Sequence, residues 1–204
     1  MSDTPVLRQY REAKDRFPDA ILLFRLGDFF EIFFEDAVEA APIMGVTLTS
    51  RPMGKGGRHP MCGVPHHSWQ GYVGKLLRDG RKVVLCDQVE AATGRGIVRR
   101  EVTRVLTPGT VVEDAYLEPG FHNFLVAAWT RGPEAGLAAC DISTGELLLC
   151  QLPADRLDAE LERLRPAELL QPPVVETYRF DPERGLRRLK DALGVGFASA
   201  IGAD

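Results

Sequence analysis

Between Ile21 and Asp36 the chain reads ILLFRLGDFFEIFFED, and this stretch constrains the fold more than any other. ILLF, Ile21 to Phe24, is a short apolar run of the kind that forms a buried strand. Gly27-Asp28 lets the chain turn sharply. The segment that follows puts Phe29, Phe30, Phe33 and Phe34 within six residues, interleaved with Asp28, Glu31, Glu35 and Asp36. In a strand, alternate side chains face opposite ways. Phe30, Ile32 and Phe34 would then form an apolar face suited to a core, with Phe29, Glu31 and Phe33 on the other. A core strand with Glu31 on its rim satisfies this pattern. So does a surface that needs an aromatic and a carboxylate side by side.

The rest of the chain alternates helical and strand signals. Thr4-Pro5 reads as an N-cap followed by proline at the first helical position. Val6, Tyr10, Ala13 and Phe17 keep helical spacing until Pro18. EDAVEAAPIMG predicts a short helix with acids in its first turn, where the helix dipole favours them. VTLTS, Val46 to Ser50, alternates like a strand, and RPMGKGGRHP reads as a polar loop. Ser68 is placed to cap a helix through Tyr72, Val73, Leu76 and Leu77 that ends at Gly80. KVVLCDQV and VRREVTRVL predict strands, and TPGT a turn.

The acidic stretch EDAYLEPG, Glu113 to Gly120, breaks the pattern and is taken as the domain boundary. Beyond it, NFLVAAW and GLAACDISTGELLLCQL read as strands of a meander turning on Ser-Thr-Gly. Leu157, Leu161 and Leu164 mark a helix that stops before Pro166, and ELLQPPVV reads as a short strand. Strands mixed with helices predict α+β for the first part and α/β for the second. The ending DALGVGFASAIGAD has no terminating helix and reads as an unfinished domain of a longer protein.

The net charge of −4 hides a split. Residues 41–110 carry 11 Lys/Arg against 4 Asp/Glu, whereas residues 111–204 carry 9 against 16 and residues 1–40 carry 5 against 9. A basic stretch of this kind suits a polyanion. No apolar run approaches the roughly 18 residues of a membrane span, and the N-terminus has no apolar signal region. Cys62, Cys86, Cys140 and Cys150 form no C-x-x-C pair, which fits reduced thiols in a cytoplasmic protein.

Four groups of residues could carry chemistry. RPMGKGGRHP offers Arg51, Lys55 and Arg58 among glycines, so backbone amides and cations could approach phosphate. It is not a P-loop, because Lys55 is followed by Gly56 rather than Ser or Thr. RGIVRREVTR adds Arg95, Arg99, Arg100 and Arg104. His59, Cys62, His66 and His67 lie close in sequence, but Pro60 and Pro65 break the segment and no second ligand cluster closes a tetrahedron. Asp141 ends a strand, yet no second carboxylate has the spacing to share a metal, so it reads as structural.

RLGDFFEIFFEDA, PMCGVPHHS, CDQVE, REVTRVLTPGT and DISTGE occur in this order in the MutS family of DNA mismatch-repair proteins, and the chain resembles that family from its first helix to near residue 170. The resemblance implies an α+β mixed-sheet mismatch-recognition domain over residues 1–115. It implies an incomplete α/β connector domain, ribonuclease-H-like but without nuclease activity, over residues 116–204. The family's Phe-x-Glu mismatch reader falls on Phe29 and Glu31. Arg51, Lys55, Arg58, His66, Arg95, Arg99, Arg100 and Arg104 become candidates for holding the DNA backbone. The family often has alanine and tyrosine where this chain has Cys62 and His66, which weakens the case for His66.

Physically, Phe29 would act as a minor-groove wedge. Glu31 would repel correctly paired DNA and bond to a mispaired base, either by accepting from a base N–H or by donating as a protonated acid. The resemblance further implies that the full-length protein is a dimeric ATPase using ATP and magnesium, partnered by a MutL-like repair protein in the bacterial cytoplasm. This chain itself has no P-loop and is expected to have no catalytic activity or bound cofactor. Two other readings stand beside it: a partner-docking module acting through the acidic second half, and a metal nuclease built on Asp141 or the histidines.

Overall fold

A computed structural model of the chain describes residues 4–52, 57–90, 98–171 and 181–193. Helix α1 (Pro5–Arg16) starts where Thr4 caps it, the Oγ1 accepting from the Leu7 amide at 3.3 Å. Its buried residues Leu7, Tyr10 and Ala13 recur at three-residue spacing, which gathers them on one face.

The chain then enters β1 (Ile21–Leu26), turns at Gly27-Asp28, and returns antiparallel as β2 (Phe29–Phe33), with Leu26 opposite Phe29. Gly27 takes φ 60°, a left-handed conformation that glycine adopts without steric cost. Helix α2 (Phe34–Met44), strands β3 (Thr49–Pro52) and β4 (Arg58–Pro65), a 3₁₀ turn (His66–Ser68), helix α3 (Trp69–Arg78) and strands β5 (Val83–Gln88) and β6 (Arg100–Leu106) follow. The six strands form one sheet in the order β3-β4-β2-β1-β5-β6. β1 and β5 pair in parallel, and the other neighbours pair antiparallel.

Both faces of this sheet are covered. Ile21, Leu23, Phe30, Ile32, Val64, Val83 and Leu85 pack against Ala37, Ala40 and Met44 of α2 and Val73 and Leu76 of α3. Leu22, Phe24, Phe33, Met61, Val84 and Cys86 pack against Tyr10 and Ala13 of α1. ILLF is therefore continuous rather than alternating because a strand buried on both faces has no polar side. Lys14 and the buried Asp36 pair at 2.8 Å, and the other Asp36 oxygen accepts from the Leu22 amide at 3.0 Å, tying α1, α2 and β1 together.

Several local expectations shift. Phe34 is not part of the β2 core face: it opens α2 at φ 58°, so the alternation ends at Phe33. Phe33 is buried (1% exposed), because α1 covers the face on which an exposed side chain was expected. The strand expected over Val46–Ser50 begins at Thr49 and runs to Pro52. Part of the expected polar loop is thereby strand, with Arg51 opposite His59 and Pro52 opposite Arg58. Ser68 precedes α3 but makes no side-chain cap, because the chain enters that helix through the 3₁₀ turn.

The second sheet has the order β10-β7-β8-β9, from β7 (Phe124–Arg131), β8 (Glu134–Asp141), β9 (Glu146–Pro153) and β10 (Glu168–Leu170), with β10 parallel to β7. Phe124, Val126 and Ala128 alternate inward along β7, as do Ala135, Leu137 and Ala139 along β8. They pack on Leu157 and Leu164 of α4 (Leu157–Leu164). Helix α5 (Pro182–Leu193) follows. Contacts divide the chain into two units, Met1–Asn123 with Asp141–Gly145, and Phe124–Cys140 with Glu146–Asp204. Val111 and Tyr116 belong to the core of the first unit. The ending from residue 194 lies outside the described residues.

Candidate nucleic-acid interface

One face of β2 runs from core to solvent within five residues. Phe33 lies beneath Tyr10, with ring centroids 5.2 Å apart. Glu31 is half-buried, and Phe29 is 44% exposed beside the Gly27-Asp28 turn. The two residues of the Phe-x-Glu pattern thus share a face, while Phe30 between them is 1% exposed on the opposite one.

The turn beneath Phe29 is braced from three sides. The His66 amide donates to the Asp28 carbonyl at 2.8 Å. The Arg25 side chain donates to the Gly27 carbonyl. Arg100 Nε donates to the Arg25 carbonyl at 2.6 Å. The Arg25 guanidinium also lies 5.7 Å from the Phe30 ring and 3.8 Å from Asp87, which is 3.7 Å from His66 Nε2.

Glu31 pairs with Phe24 on β1 and Gly63 on β4. Its carboxylate lies so close over Gly63 that a Cβ there would stand 3.0 Å from Glu31 Cδ and nearer still to Oε2. Burial pushes the Glu31 carboxyl above its ordinary value, and Arg51 pulls it partly back. The neutral acid is therefore more accessible here than on an open surface.

The basic candidates do not form one patch around Phe29. Arg51 and Arg58 are exposed on the β3–β4 hairpin, where Arg58 Nε donates to Ser50 Oγ at 2.9 Å. Arg58 lies seven residues along β4 from Pro65, the partner of Phe29, a strand distance of roughly 23 Å. Arg99 pairs with Glu101 and Arg104 with Glu113. Arg100 is turned inward: besides the Arg25 carbonyl it bonds the Val98 carbonyl at 2.9 Å, and it lies 5.3 Å from the Phe24 ring. His66 keeps 42% of its side chain exposed. Lys55 and Arg95 lie outside the described residues.

The family model described as MutS domain I matches residues 4–115, and that described as MutS domain II matches residues 123–196. The chain belongs to the MutS family. The DNA mismatch repair protein MutS of Anaeromyxobacter sp. (strain Fw109-5) is 47% identical over 203 residues, covering 98% of this chain and 22% of that protein. That of Myxococcus xanthus (strain DK1622) is 43% identical over 225 residues, covering 98% of this chain and 25% of that protein. That of Desulfitobacterium hafniense (strain Y51) is 50% identical over 171 residues, covering 83% and 20%. The chain therefore spans a quarter or less of the length of these MutS relatives.

Elsewhere in this MutS-family chain the candidate groups are structurally occupied. Asp141 is 1% exposed and accepts from the Asn123 amide at 3.0 Å, the Ser143 amide at 3.0 Å and Ser143 Oγ at 2.6 Å. Burial pushes its carboxyl up, but these bonds outweigh it and hold it below the usual value. Among the described residues no three His, Cys, Asp or Glu side chains converge to hold a metal. Cys62 is buried, its thiol pushed up to about 11 by burial. A polar cavity of about 200 Å³, lined by Lys14, Asp19, Asp36, Glu39, Arg81 and Lys82, opens beside Ile21, at the end of β1 away from Phe29; its bases and acids pair with one another. No helix among the described residues is long and apolar enough to cross a membrane.

Sequence reasoning missed Gly63, Arg25 and Asp87. Gly63 matters only because it stands opposite Glu31, and that register is a tertiary fact. Arg25 and Asp87 are distant in sequence and meet only through the parallel pairing of β1 and β5.

Proposed function

We propose that this chain is the mismatch-reading end of a MutS-type repair protein, with Phe29 as the minor-groove wedge and Glu31 as the contact to the mispaired base. The observation that carries this reading is the exposure of Phe29. In a strand whose other aromatics are buried, this one ring is presented to solvent at a braced turn, next to a half-buried carboxylate.

A ring pushed between base pairs unstacks a step and kinks the duplex, at roughly a few kcal/mol. A mismatched base costs less to unstack than a paired one. The wedge therefore tests local weakness rather than sequence. Glu31 penalises paired DNA through its charge. At a mismatch a free base edge offsets the penalty, either by donating an N–H to the carboxylate or by accepting from a protonated Glu31, a form that burial makes more accessible. Arg51 and Arg58, with Lys55 and Arg95 from the same basic stretch, are the proposed phosphate contacts. The inward bonds of Arg100 favour a role in holding the turn instead.

For the whole protein we propose action as a dimer, with ATP and magnesium used by a domain outside this chain. Docking of a MutL-like repair protein on the second unit is the alternative function of this chain. Leu147 and Leu149, both well exposed on the outermost strand β9, favour it.

The test is fluorescence anisotropy with a G·T heteroduplex and its G·C homoduplex at two salt concentrations. Phe29→Ala should abolish the heteroduplex preference, and Glu31→Ala should raise homoduplex binding. Equal binding of both duplexes, unchanged by Phe29→Ala, would sink the wedge. Failure of the wild-type chain to bind either duplex would favour the docking alternative.

A further inference from the structure

We infer that Gly63 is a positioning residue for Glu31: its missing side chain is the recess in which the Glu31 carboxylate lies flat against the sheet. The inference rests on the reading of Glu31 as the base-contacting group.

Glycine at position 63 has no backbone explanation. Its φ is not in the left-handed region, so any residue could adopt it. It sits inside β4, between the buried Cys62 and Val64, and glycine inside a strand weakens the strand. Its neighbours explain it instead. Directly opposite residues of an antiparallel pair bring their Cβ atoms within about 4.5–5.5 Å. Glu31, opposite Gly63, folds across that gap until its carboxylate occupies the volume a methyl group would take. The Phe30 carbonyl, 3.4 Å from the same Cβ position, closes the recess from the β2 backbone.

Any side chain at position 63 therefore has to lift the carboxylate. A lifted Glu31 would stand in water and closer to an approaching duplex. It would lose the burial that favours the neutral acid, and its full charge would repel mismatched and paired DNA alike. The glycine thus sets how far the carboxylate stands off the sheet, and with it how selective the repulsion is.

A thermal double-mutant cycle tests this without DNA. In the wild-type chain Gly63→Ala displaces the flexible end of Glu31 and should shift Tm about 1–3 °C less favourably than it does in the Glu31→Ala background. In the Glu31→Ala background the same substitution should be neutral or raise Tm, since alanine suits an extended strand better than glycine. A carboxyl titration followed by NMR should also move Glu31 down toward its ordinary value in Gly63→Ala. Equal Tm shifts in both backgrounds, or an unmoved Glu31 titration, would overturn the inference. On DNA, Gly63→Ala should reduce the G·T over G·C preference, and the double variant should lose no more than Glu31→Ala alone. If Glu31→Ala changes discrimination and Gly63→Ala does not, Gly63 has no positioning role. If the cycle shows coupling but neither variant changes discrimination, the positioning stands and the DNA reading of Glu31 fails.

Discussion

The Glu31 carboxylate lies across Gly63, its partner in the antiparallel pairing of β2 and β4. The carboxyl there is half-buried, and its consequence for stability has a definite sign. The folded-state value of Glu31 is raised above the unfolded one. Between the two values the folded chain holds a proton that the unfolded chain has released, so stability falls as pH rises through that window. Above the folded value the whole penalty is present. Glu31→Gln removes it and should raise Tm at pH 7 by about 1–3 °C. The gain should vanish below about pH 4, where glutamate is protonated in both states. Melting curves of both forms at pH 7 and pH 4 check this. The same variant should bind homoduplex DNA more tightly.

Phe29 and Phe33 share one face of β2 but should respond oppositely. Phe29 is exposed, so Phe29→Ala should change stability by less than about 0.5 kcal/mol while removing the heteroduplex preference. Phe33 is enclosed by Tyr10, Phe24 and Met61, so Phe33→Ala should cost about 3–5 kcal/mol. Urea unfolding of the two variants, beside anisotropy, separates the roles.

Arg100 and Arg58 should separate in a similar way. Arg100→Gln breaks bonds to the Arg25 and Val98 carbonyls and should cost about 1–3 kcal/mol, with little change in the salt dependence of DNA binding. Arg58→Gln should leave stability nearly unchanged and reduce the slope of log affinity against log salt by about 1. A salt titration of each variant decides which arginine faces phosphate.

Asp141 predicts acid sensitivity. Its folded value is held below the unfolded one, so its stabilisation is complete above the unfolded value and is lost as pH falls through the folded value. Asp141→Asn should cost about 1–3 kcal/mol at pH 7, and the gap between wild type and variant should narrow as pH falls below the ordinary aspartate range. Denaturant midpoints across pH 2–7 measure the narrowing.

Most elements and their order follow from local signals, the exception being β4, which opens inside a stretch that reads as a polar loop. Thr4-Pro5 starting α1, the apolar run Ile21 to Phe24, the turn at Gly27-Asp28 and the Ser-Thr-Gly turn after Asp141 are local signals, set by backbone geometry and side-chain capping within a few residues. The ordered motifs single out Phe29 and Glu31 as candidates, because a short motif keeps its spacing whatever the fold around it. Helix docking, not local sequence, sets how far along the second face of β2 the cover reaches. Alternation says that Phe29, Glu31 and Phe33 share a side, but not that α1 buries one end of that row and leaves the other open. Only the tertiary structure, too, decided that Arg100 turns inward and that Gly63 stands under Glu31. Those outcomes depend on strand register and helix docking between residues tens of positions apart, and such pairings leave no periodic trace in the chain.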